Sequence, residues 1–290
     1  YKTVIKKKKQ DFKLRKAQML TDNLNNPSIF WKELRACCGL VKKQALKNSI
    51  TINEWRDHFM NVFESNLSNN QADYESAHSE VDSVCIEELD NPISVEEVVK
   101  SIKRLKSGKA GGLDGILPEM LKEASTYIAL FLTEFFNDIF TSGTYPEPWS
   151  EAVIVPIYKK GDANVTANYR GISLLNLLGK CYTSILNNRL YSWLEDSSKI
   201  IDSQAGFRKG YSTTDHIFTL YAVTQKYLLK RGGKLYVAFI DLKIAFDSIR
   251  RSTMLGCLKR VGISSKFLNA IMGIYQKVVS CVRINNELTE

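Results

Sequence analysis

Residues 236–240, Tyr-Val-Ala-Phe-Ile, form an unbroken apolar run that is rich in aromatic and β-branched side chains. Such a run is typical of a strand buried on both faces, so the sequence predicts a β-strand here. Asp241 follows directly. Over residues 242–250 the apolar pattern restarts with charged residues between its members, which predicts a turn into a helix. Asp241 is therefore expected where a buried strand leaves the core.

This placement leaves two roles open for Asp241. A carboxylate fixed at the end of a rigid strand is well placed to hold a divalent cation. An Asp between a strand and a helix is also a frequent N-cap, which accepts hydrogen bonds from backbone N–H groups. The run alone does not choose between the two roles.

Apolar side chains at positions 55, 59, 62 and 63 predict a helical stripe within residues 53–68, and helical patterns dominate the chain from residue 94 onward. Ser94 and Glu97 have the spacing of a capping box that opens a helix, and Pro118 is suited to the first turn of the next one. Apolar side chains recur at helical spacing in 126–141, 176–196, 215–230 and two parts of 250–277. The segment 126–141 is strongly apolar and is expected in the core.

Strand patterns occur at residues 152–158 and 168–175, which predicts a β-hairpin. Pro156 lacks a backbone donor, so it argues for an edge strand or for the end of a strand. Residues 280–286 predict a further strand and a turn. The mixture of separate helices and a small sheet predicts an α+β fold.

Two loops carry residues with possible chemistry. Lys159, Lys160 and Arg170 lie near the hairpin loop, where they would present cations to phosphates, although lysines at a sheet edge also serve simply to block aggregation. The glycine-dense loop 109–118 permits close approach of a nucleotide or of another backbone, and ordinary turn chemistry explains it equally well.

The charges are segregated along the chain. Residues 1–50, which have a helical pattern, carry 13 basic and 3 acidic side chains, and residues 51–100 carry 2 basic and 12 acidic ones. Residues 151–290 carry 20 basic and 10 acidic side chains. The basic blocks predict a polyanionic partner, most simply nucleic acid. The lysine run 6–9 fits either such contact or a solvated tail.

Length and composition restrict the class of protein. With 290 residues, 44% hydrophobic and 24% charged, the chain has a globular composition. It has no apolar run long enough to span a membrane and no secretory leader, so we expect an intracellular protein of the nucleus or cytoplasm. Its six cysteines form no Cys-x-x-Cys pair and are expected to be reduced, buried thiols.

Five stretches together resemble successive blocks of the reverse transcriptases of non-LTR (LINE-type) retrotransposons. They are Lys-Ser-Gly-Lys-Ala-Gly-Gly-Leu-Asp-Gly-Ile at 106–116, Ile-Val-Pro-Ile-Tyr-Lys-Lys-Gly-Asp at 154–162, Asn-Tyr-Arg-Gly-Ile-Ser-Leu-Leu at 168–175, Gln-Ala-Gly-Phe-Arg-Lys-Gly at 204–210 and Phe-Ile-Asp-Leu-Lys-Ile-Ala-Phe-Asp at 239–247. Upstream, Phe-Trp-Lys-Glu-Leu at 30–34 and the segment around Trp55 resemble the region that precedes this domain.

The resemblance implies an incomplete right-hand polymerase fold. Residues 94–233 would form the fingers and the first palm elements, and residues 234–290 would form the start of the palm. A basic helical region at 1–65 and an acidic linker at 66–93 would precede them. The implied partners are an RNA template, a DNA primer and deoxynucleoside triphosphates, while the oligomeric state stays open.

By the same resemblance, Asp241 is the first catalytic carboxylate. With the backbone carbonyl of Leu242 it would bind Mg²⁺ or Mn²⁺, of which the complete enzyme holds two ions. Asp247 would be structural. Lys159 or Lys160 and Arg170 would hold the incoming triphosphate, and the ring of Phe246 would exclude a 2′-hydroxyl. Three further cations would contact nucleic acid: Lys109, Arg208 and Lys209.

The chain contains no Asp-Asp pair, which in this family supplies the second carboxylate. We therefore expect the 290 residues to be an N-terminal part of the polymerase domain that is catalytically incomplete alone. The basic surface also fits a second hypothesis, a non-catalytic RNA- or DNA-binding protein derived from such an element. A purely structural helical adaptor gives no reason for the cations that flank Asp241.

Overall fold

The computed structural model describes residues 2–23, 26, 29–30, 34, 49–64, 84–230, 232–242, 244–285 and 287–289. Contacts divide the chain into two units, residues 1–49 and 50–290. In the first unit, helix α1 spans Lys2–Asp22, as the sequence predicts. Most of the predicted segment at 30–34 and of the acidic linker lies outside the described residues. No described helix is long and apolar enough to cross a membrane.

The second unit is helix-rich with a small mixed sheet. Its elements are α2 (Ile52–Glu64), α3 (Glu87–Asp90), α4 (Val95–Arg104), α5 (Pro118–Ser142), α6 (Glu147–Ser150), β1 (Glu151–Tyr158), β2 (Tyr169–Leu175), α7 (Leu177–Asp196), α8 (Thr213–Leu228), α9 (Arg251–Val261), α10 (Ser265–Gln276), β3 (Val279–Ile284) and β4 (Glu287–Leu288). This mixed composition agrees with the predicted α+β class.

Local signals fix the ends of several helices. The capping box of α4 is confirmed, because Glu97 N donates to Ser94 Oγ at 3.2 Å and Ser94 N donates to Glu97 Oε2 at 2.9 Å. Pro118 opens α5, and Gly143 ends it with a φ of 69°, which an L-residue adopts at a cost. Such signals act within a few residues, so they can be read from sequence.

The described sheet has the strand order β2-β1-β3-β4. β1 and β2 form the predicted antiparallel hairpin, while β3 runs parallel to β1 and pairs with it only as far as Ile154. Pro156 faces Gly171 of β2, beyond the last residue that pairs with β3. Pro156 therefore lies inside β1, in the half that has only β2 as a described neighbour, which fits the edge-strand alternative rather than the strand end.

The main core lies among helices α4, α5, α7, α9 and α10, together with Trp149 of α6. Residues 84–92, which the sequence assigns to a linker, contribute the fully buried Leu89 to this core. Arg189 of α7 holds them in place: its guanidinium bonds both carboxylate oxygens of Glu97 at 2.7 Å and the carbonyl oxygens of Leu89, Asn91 and Pro92. An arginine is only 9% exposed here because its charge and donors are satisfied.

A second, smaller core joins α2 to the sheet. Trp55 and Phe59 are buried against Ile154 of β1 and Val282 of β3. Gly171 of β2 allows this contact, because a Cβ at that position would lie 2.7 Å from Cε1 of Phe59. Over residues 53–64, the described part of the predicted stripe 53–68, the prediction is confirmed, because this stripe forms the buried face of α2.

The structure corrects the prediction for residues 236–240. The segment is not part of a described strand, and its side chains are exposed: Tyr236 by 87%, Phe239 by 83% and Ile240 by 90%. The physical reason is pairing, since an apolar run becomes a buried strand only where another strand and two covering layers exist. No described strand pairs with this segment.

The structure corrects three further expectations. Residues 244–248 form turns rather than a helix, and the next helix begins only at Arg251. Within 126–141, Phe131 is 70% exposed because α5 is long enough to have an outer face that the core does not cover. Of the described cysteines, Cys85 and Cys257 are exposed, while Cys181 is buried, so the prediction of buried thiols is only partly right.

Candidate active site

The β1–β2 hairpin presents three cations at one end. Its loop is tightly held: Lys159 N donates to Asn168 O at 2.9 Å, and Asn168 Nδ2 donates to Asp162 O at 2.9 Å. Lys159, Lys160 and Arg170 are exposed, and their side chains have no ion pair or hydrogen bond with any described residue. A rigid turn with unused cations is suited to binding phosphate groups.

The glycine loop packs closely against the start of α7. A Cβ on Gly112 would lie 2.9 Å from the backbone nitrogen of Asn176, so the loop approaches another backbone there. Asn176 caps α7 through Leu178 N at 2.9 Å and donates to Asp114 Oδ2 at 2.5 Å. Lys109, the predicted nucleic-acid contact in this loop, is exposed. The glycines thus serve the fold, and Lys109 remains available to a ligand.

Arg208 of the Gln-Ala-Gly-Phe-Arg-Lys-Gly block has an internal role. Its guanidinium donates to both carboxylate oxygens of Glu195, at 2.9 and 2.7 Å, and to the carbonyl oxygens of Ile201 and Gln204. The hydrogen bonds from Arg208 lower the pKa of Glu195, and the bond to Glu195 raises the pKa of Arg208. Arg208 therefore anchors its loop to the end of α7.

Lys209, by contrast, points its charge toward the surface of the same loop. Its backbone N–H donates to the hydroxyl of Tyr191 at 2.9 Å, and its ammonium lies 4.4 Å from the centre of the Tyr191 ring. The side chain is exposed. Contact with an aromatic face orients a lysine without neutralising it, so Lys209 can still meet an anion.

Asp241 lies on the exposed segment that follows residue 240. Its carboxylate makes no ion pair or hydrogen bond with the described residues, and no described helix begins there for it to cap. Leu242 is 73% exposed. The N-cap role therefore has no helix to serve, and the carboxylate is accessible to a ligand.

The structure brings together two of the predicted blocks. The ring of Phe246 is 5.7 Å from that of Phe207, at an interplanar angle of 90°. Edge-to-face contact is a favourable arrangement of two aromatic rings. Phe246 is otherwise 74% exposed. The Asp241 segment and the loop anchored by Arg208 therefore touch through these two rings.

A complete metal cluster is not formed by the residues that the structure describes. Among them there is no group of three or more His, Cys, Asp or Glu side chains that would hold an ion. Asp241 alone offers an accessible carboxylate in the predicted position. The described residues thus fit one ligand of a divalent cation, and the remaining ligands must come from the substrate, water or further protein groups.

The sequence missed several residues that shape this region. Glu195, which holds Arg208, lies in an ordinary helical stretch, and nothing in its spacing marks it as the partner of a residue 13 positions later. Asn176 has a visible signal, because Asn directly before an apolar helical stripe is a favoured N-cap. Phe207 could have been found from its position between glycine and arginine in a polar loop.

Comparison with known proteins shows which family this sequence matches. Residues 157–290 match the model described as reverse transcriptase (RNA-dependent DNA polymerase). The probable RNA-directed DNA polymerase from transposon BS of Drosophila melanogaster is 32% identical over 173 residues, which is 59% of this chain and 19% of that protein. The RNA-directed DNA polymerase from mobile element jockey of the same species is 29% identical over 212 residues, or 69% of this chain and 23% of that protein.

A vertebrate protein is similar as well. The uncharacterized 149 kDa protein of transposon TX1 from Xenopus laevis is 25% identical over 203 residues, which is 70% of this chain and 15% of that protein. The chain therefore spans less than a quarter of the length of these curated relatives. The ordered blocks, the family match and these relatives together show that residues 157–290 belong to the reverse transcriptase family and are similar to the polymerases of LINE-type (non-LTR) retrotransposons.

Proposed function

We propose that this chain supplies the fingers and the start of the palm of an RNA-directed DNA polymerase with a right-hand fold. The substrates would be an RNA template, a DNA primer and deoxynucleoside triphosphates. The observation that carries the proposal is the β1–β2 hairpin, whose motif cations Lys159, Lys160 and Arg170 are exposed and unused by the fold. Cations that serve only the fold would be expected to bond to it, as Arg189 and Arg208 do.

Asp241 and the backbone carbonyl of Leu242 would hold Mg²⁺ or Mn²⁺ together with a second carboxylate motif. When bound, a pair of such ions activates the primer 3′-hydroxyl and stabilises the leaving pyrophosphate. The protein's own contribution here is an accessible carboxylate that no described cation neutralises. Such a carboxylate is free to accept a metal ion.

The hairpin and the ring of Phe246 would orient the nucleotide. Arg170 would bind the triphosphate oxygens bidentately, and Lys159 or Lys160 would act as a point charge. Phe246 would lie against the sugar, held by the edge-to-face contact with Phe207. Lys109 and Lys209 would contact nucleic acid directly. Arg208 would act on nucleic acid through the loop that it anchors, because its donors are engaged within the fold.

The role of the hairpin is tested by photo-crosslinking. The full chain is irradiated with a labelled azido-deoxynucleoside triphosphate, Mg²⁺ and an RNA template–DNA primer duplex. Loss of one charge-assisted contact removes about 1.5–3 kcal/mol, so Arg170→Gln should lower crosslinking about tenfold or more. Lys277→Gln, which removes an exposed cation that is paired with Glu147 away from the hairpin, should not. Equal crosslinking of the two variants would contradict the proposed role.

The 290 residues contain no Asp-Asp pair, so we propose that they do not extend a primer by themselves. This same feature favours the second candidate, a non-catalytic nucleic-acid-binding protein. RNA binding that depends on salt, and on neither Mg²⁺ nor Asp241, would support that candidate. Mg²⁺-dependent primer extension by the isolated chain would overturn the proposed incompleteness.

A further inference from the structure

A cleft of about 570 Å³ lies between α4, α7 and the loop that carries Lys209. Lys100 and Arg104 of α4 line it, with Asn188 and Trp193 of α7 and with Lys209. Apart from Lys209, no residue of this cleft belongs to the motif residues assigned above. The cleft thus combines cations, an amide and an aromatic side chain in one concave surface.

A hydrogen bond orients Arg104 but leaves most of its donors free. Its Nη1 donates to Asn188 Oδ1 at 2.8 Å, and Asn188 is itself fixed by donating to Ser184 O at 2.6 Å. Arginine carries five N–H donors, so most of those of Arg104 remain available. Arg189 and Arg208, in contrast, spend four or more hydrogen bonds on the fold. A pre-oriented guanidinium with spare donors is suited to bidentate binding of a phosphate.

The local charge favours an anionic ligand. Three exposed cations line the cleft: Lys100, Arg104 and Lys209. Among the acids that line the cleft, Glu97 is paired with Arg189 at 2.7 Å, which leaves Glu88 and Asp196 opposite three exposed cations. The balance is positive on the α4 side, where a phosphate backbone would lie.

We propose that this cleft binds the phosphodiester backbone of single-stranded RNA. Arg104 contacts one phosphate bidentately, Lys100 and Lys209 contact neighbouring phosphates, and Trp193 offers an aromatic surface to a base. The proposal rests on the proposed function only in naming RNA as the polyanion. It adds Lys100, Arg104 and Asn188, none of which the motif blocks mark, to the surface that would hold the strand.

The test is a salt titration of RNA binding by the full chain. Fluorescence anisotropy with a labelled single-stranded RNA of mixed sequence is measured between 50 and 200 mM salt for wild type and Lys100→Gln/Arg104→Gln. A matched control, Lys103→Gln/Lys106→Gln, removes two exposed charges from the same part of the chain that do not line the cleft. Thermal unfolding of each variant checks that the fold is kept.

Each phosphate contact contributes about 0.7 to the salt slope for a single strand, so two lost contacts lower the slope by about 1.4. The loss of affinity between 50 and 200 mM salt should then be about sevenfold smaller for the cleft variant than for wild type. The control should keep a slope close to that of wild type. Asn188→Ala should also lower the affinity for RNA, because it removes the hydrogen bond that orients Arg104.

The outcomes are distinguishable. If the RNA affinity of wild type depends steeply on salt and both double variants change that slope equally, binding is not localised to the cleft. The cleft proposal then fails, while the proposed function stands. If neither variant changes the slope, the proposal fails in the same way. If wild type binds no RNA at all, both the cleft and the proposed RNA template fail together.

Discussion

Replacing Arg189 tests most directly how residues 84–92 are held against α7. Arg189→Met keeps an unbranched apolar stem and deletes the donors that reach Glu97 and the backbone of residues 89–92. Residues 84–92 would then lose their tie to α7, although Leu89 would still be able to pack in the core. The variant therefore separates the polar clamp from the apolar packing.

The expected cost follows from burial. Removing one partner of a buried ion pair costs about 3–5 kcal/mol. The side chain of Glu97 is 31% exposed and that of Arg189 is 9% exposed, so water replaces part of the lost bonding. We therefore expect the lower end, about 3 kcal/mol, which for a domain of roughly this size lowers the Tm by about 6–12 °C.

The assay is thermal unfolding by circular dichroism at pH 7, with Arg170→Met as the matched control. Arg170 is exposed and unpaired within the described structure, so its replacement should change stability by no more than about 0.5 kcal/mol. If Arg189→Met unfolded at the same temperature as Arg170→Met, the clamp would contribute nothing and the reasoning would be refuted.

The pH dependence gives an independent check. Burial alone would raise the pKa of Glu97, but hydrogen bonds from Arg189 and from the backbone of Ser94 outweigh it and lower the pKa from its usual 4.5. A carboxyl group whose pKa is lowered in the folded state adds stability above its unfolded pKa and loses it as the pH falls through the folded value. The stability gap between wild type and Arg189→Met should therefore narrow below about pH 4.5.

Other substitutions test the remaining contacts. Gly171→Ala should lower the free energy of unfolding in urea by about 1–3 kcal/mol, because its Cβ crowds the Phe59 ring. Adding Phe59→Leu to that variant should recover part of the loss. An unchanged free energy of unfolding for Gly171→Ala alone would contradict the packing. Asn176→Ala should lower stability by about 1–2 kcal/mol through the lost cap of α7, measured in the same way. Asp241→Asn should leave the thermal midpoint unchanged, and a clear drop would show a structural role for this carboxylate.

The short-range parts of the fold were predictable from sequence. The capping box of α4, the hairpin of β1 and β2, and the start of α5 at Pro118 each depend on residues within one turn or one loop. Periodicity also identified α2 correctly, because Trp55 and Phe59 repeat at helical spacing whatever surface they pack against. These features need no knowledge of distant neighbours.

The parts that failed depend on distant partners. Residues 236–240 have the composition of a buried strand, but composition does not supply the strand that must pair with it. The roles of Arg189 and Arg208 could not be predicted for the same reason. Glu97 lies 92 residues from Arg189, and only the fold shows that the charge of Arg189 is paired with it. At the candidate site, sequence found the exposed cations of the hairpin but not the loop anchor Glu195.

We propose that Asp241 is a catalytic carboxylate of a reverse transcriptase. The most direct test of this claim is Mg²⁺-dependent extension of a DNA primer on an RNA template by a polypeptide that joins residues 1–290 to a palm hairpin bearing an Asp-Asp pair. Extension should occur, should be abolished by Asp241→Asn, and should survive the control Asp202→Asn. Extension that persists at the wild-type rate in Asp241→Asn would contradict the claim.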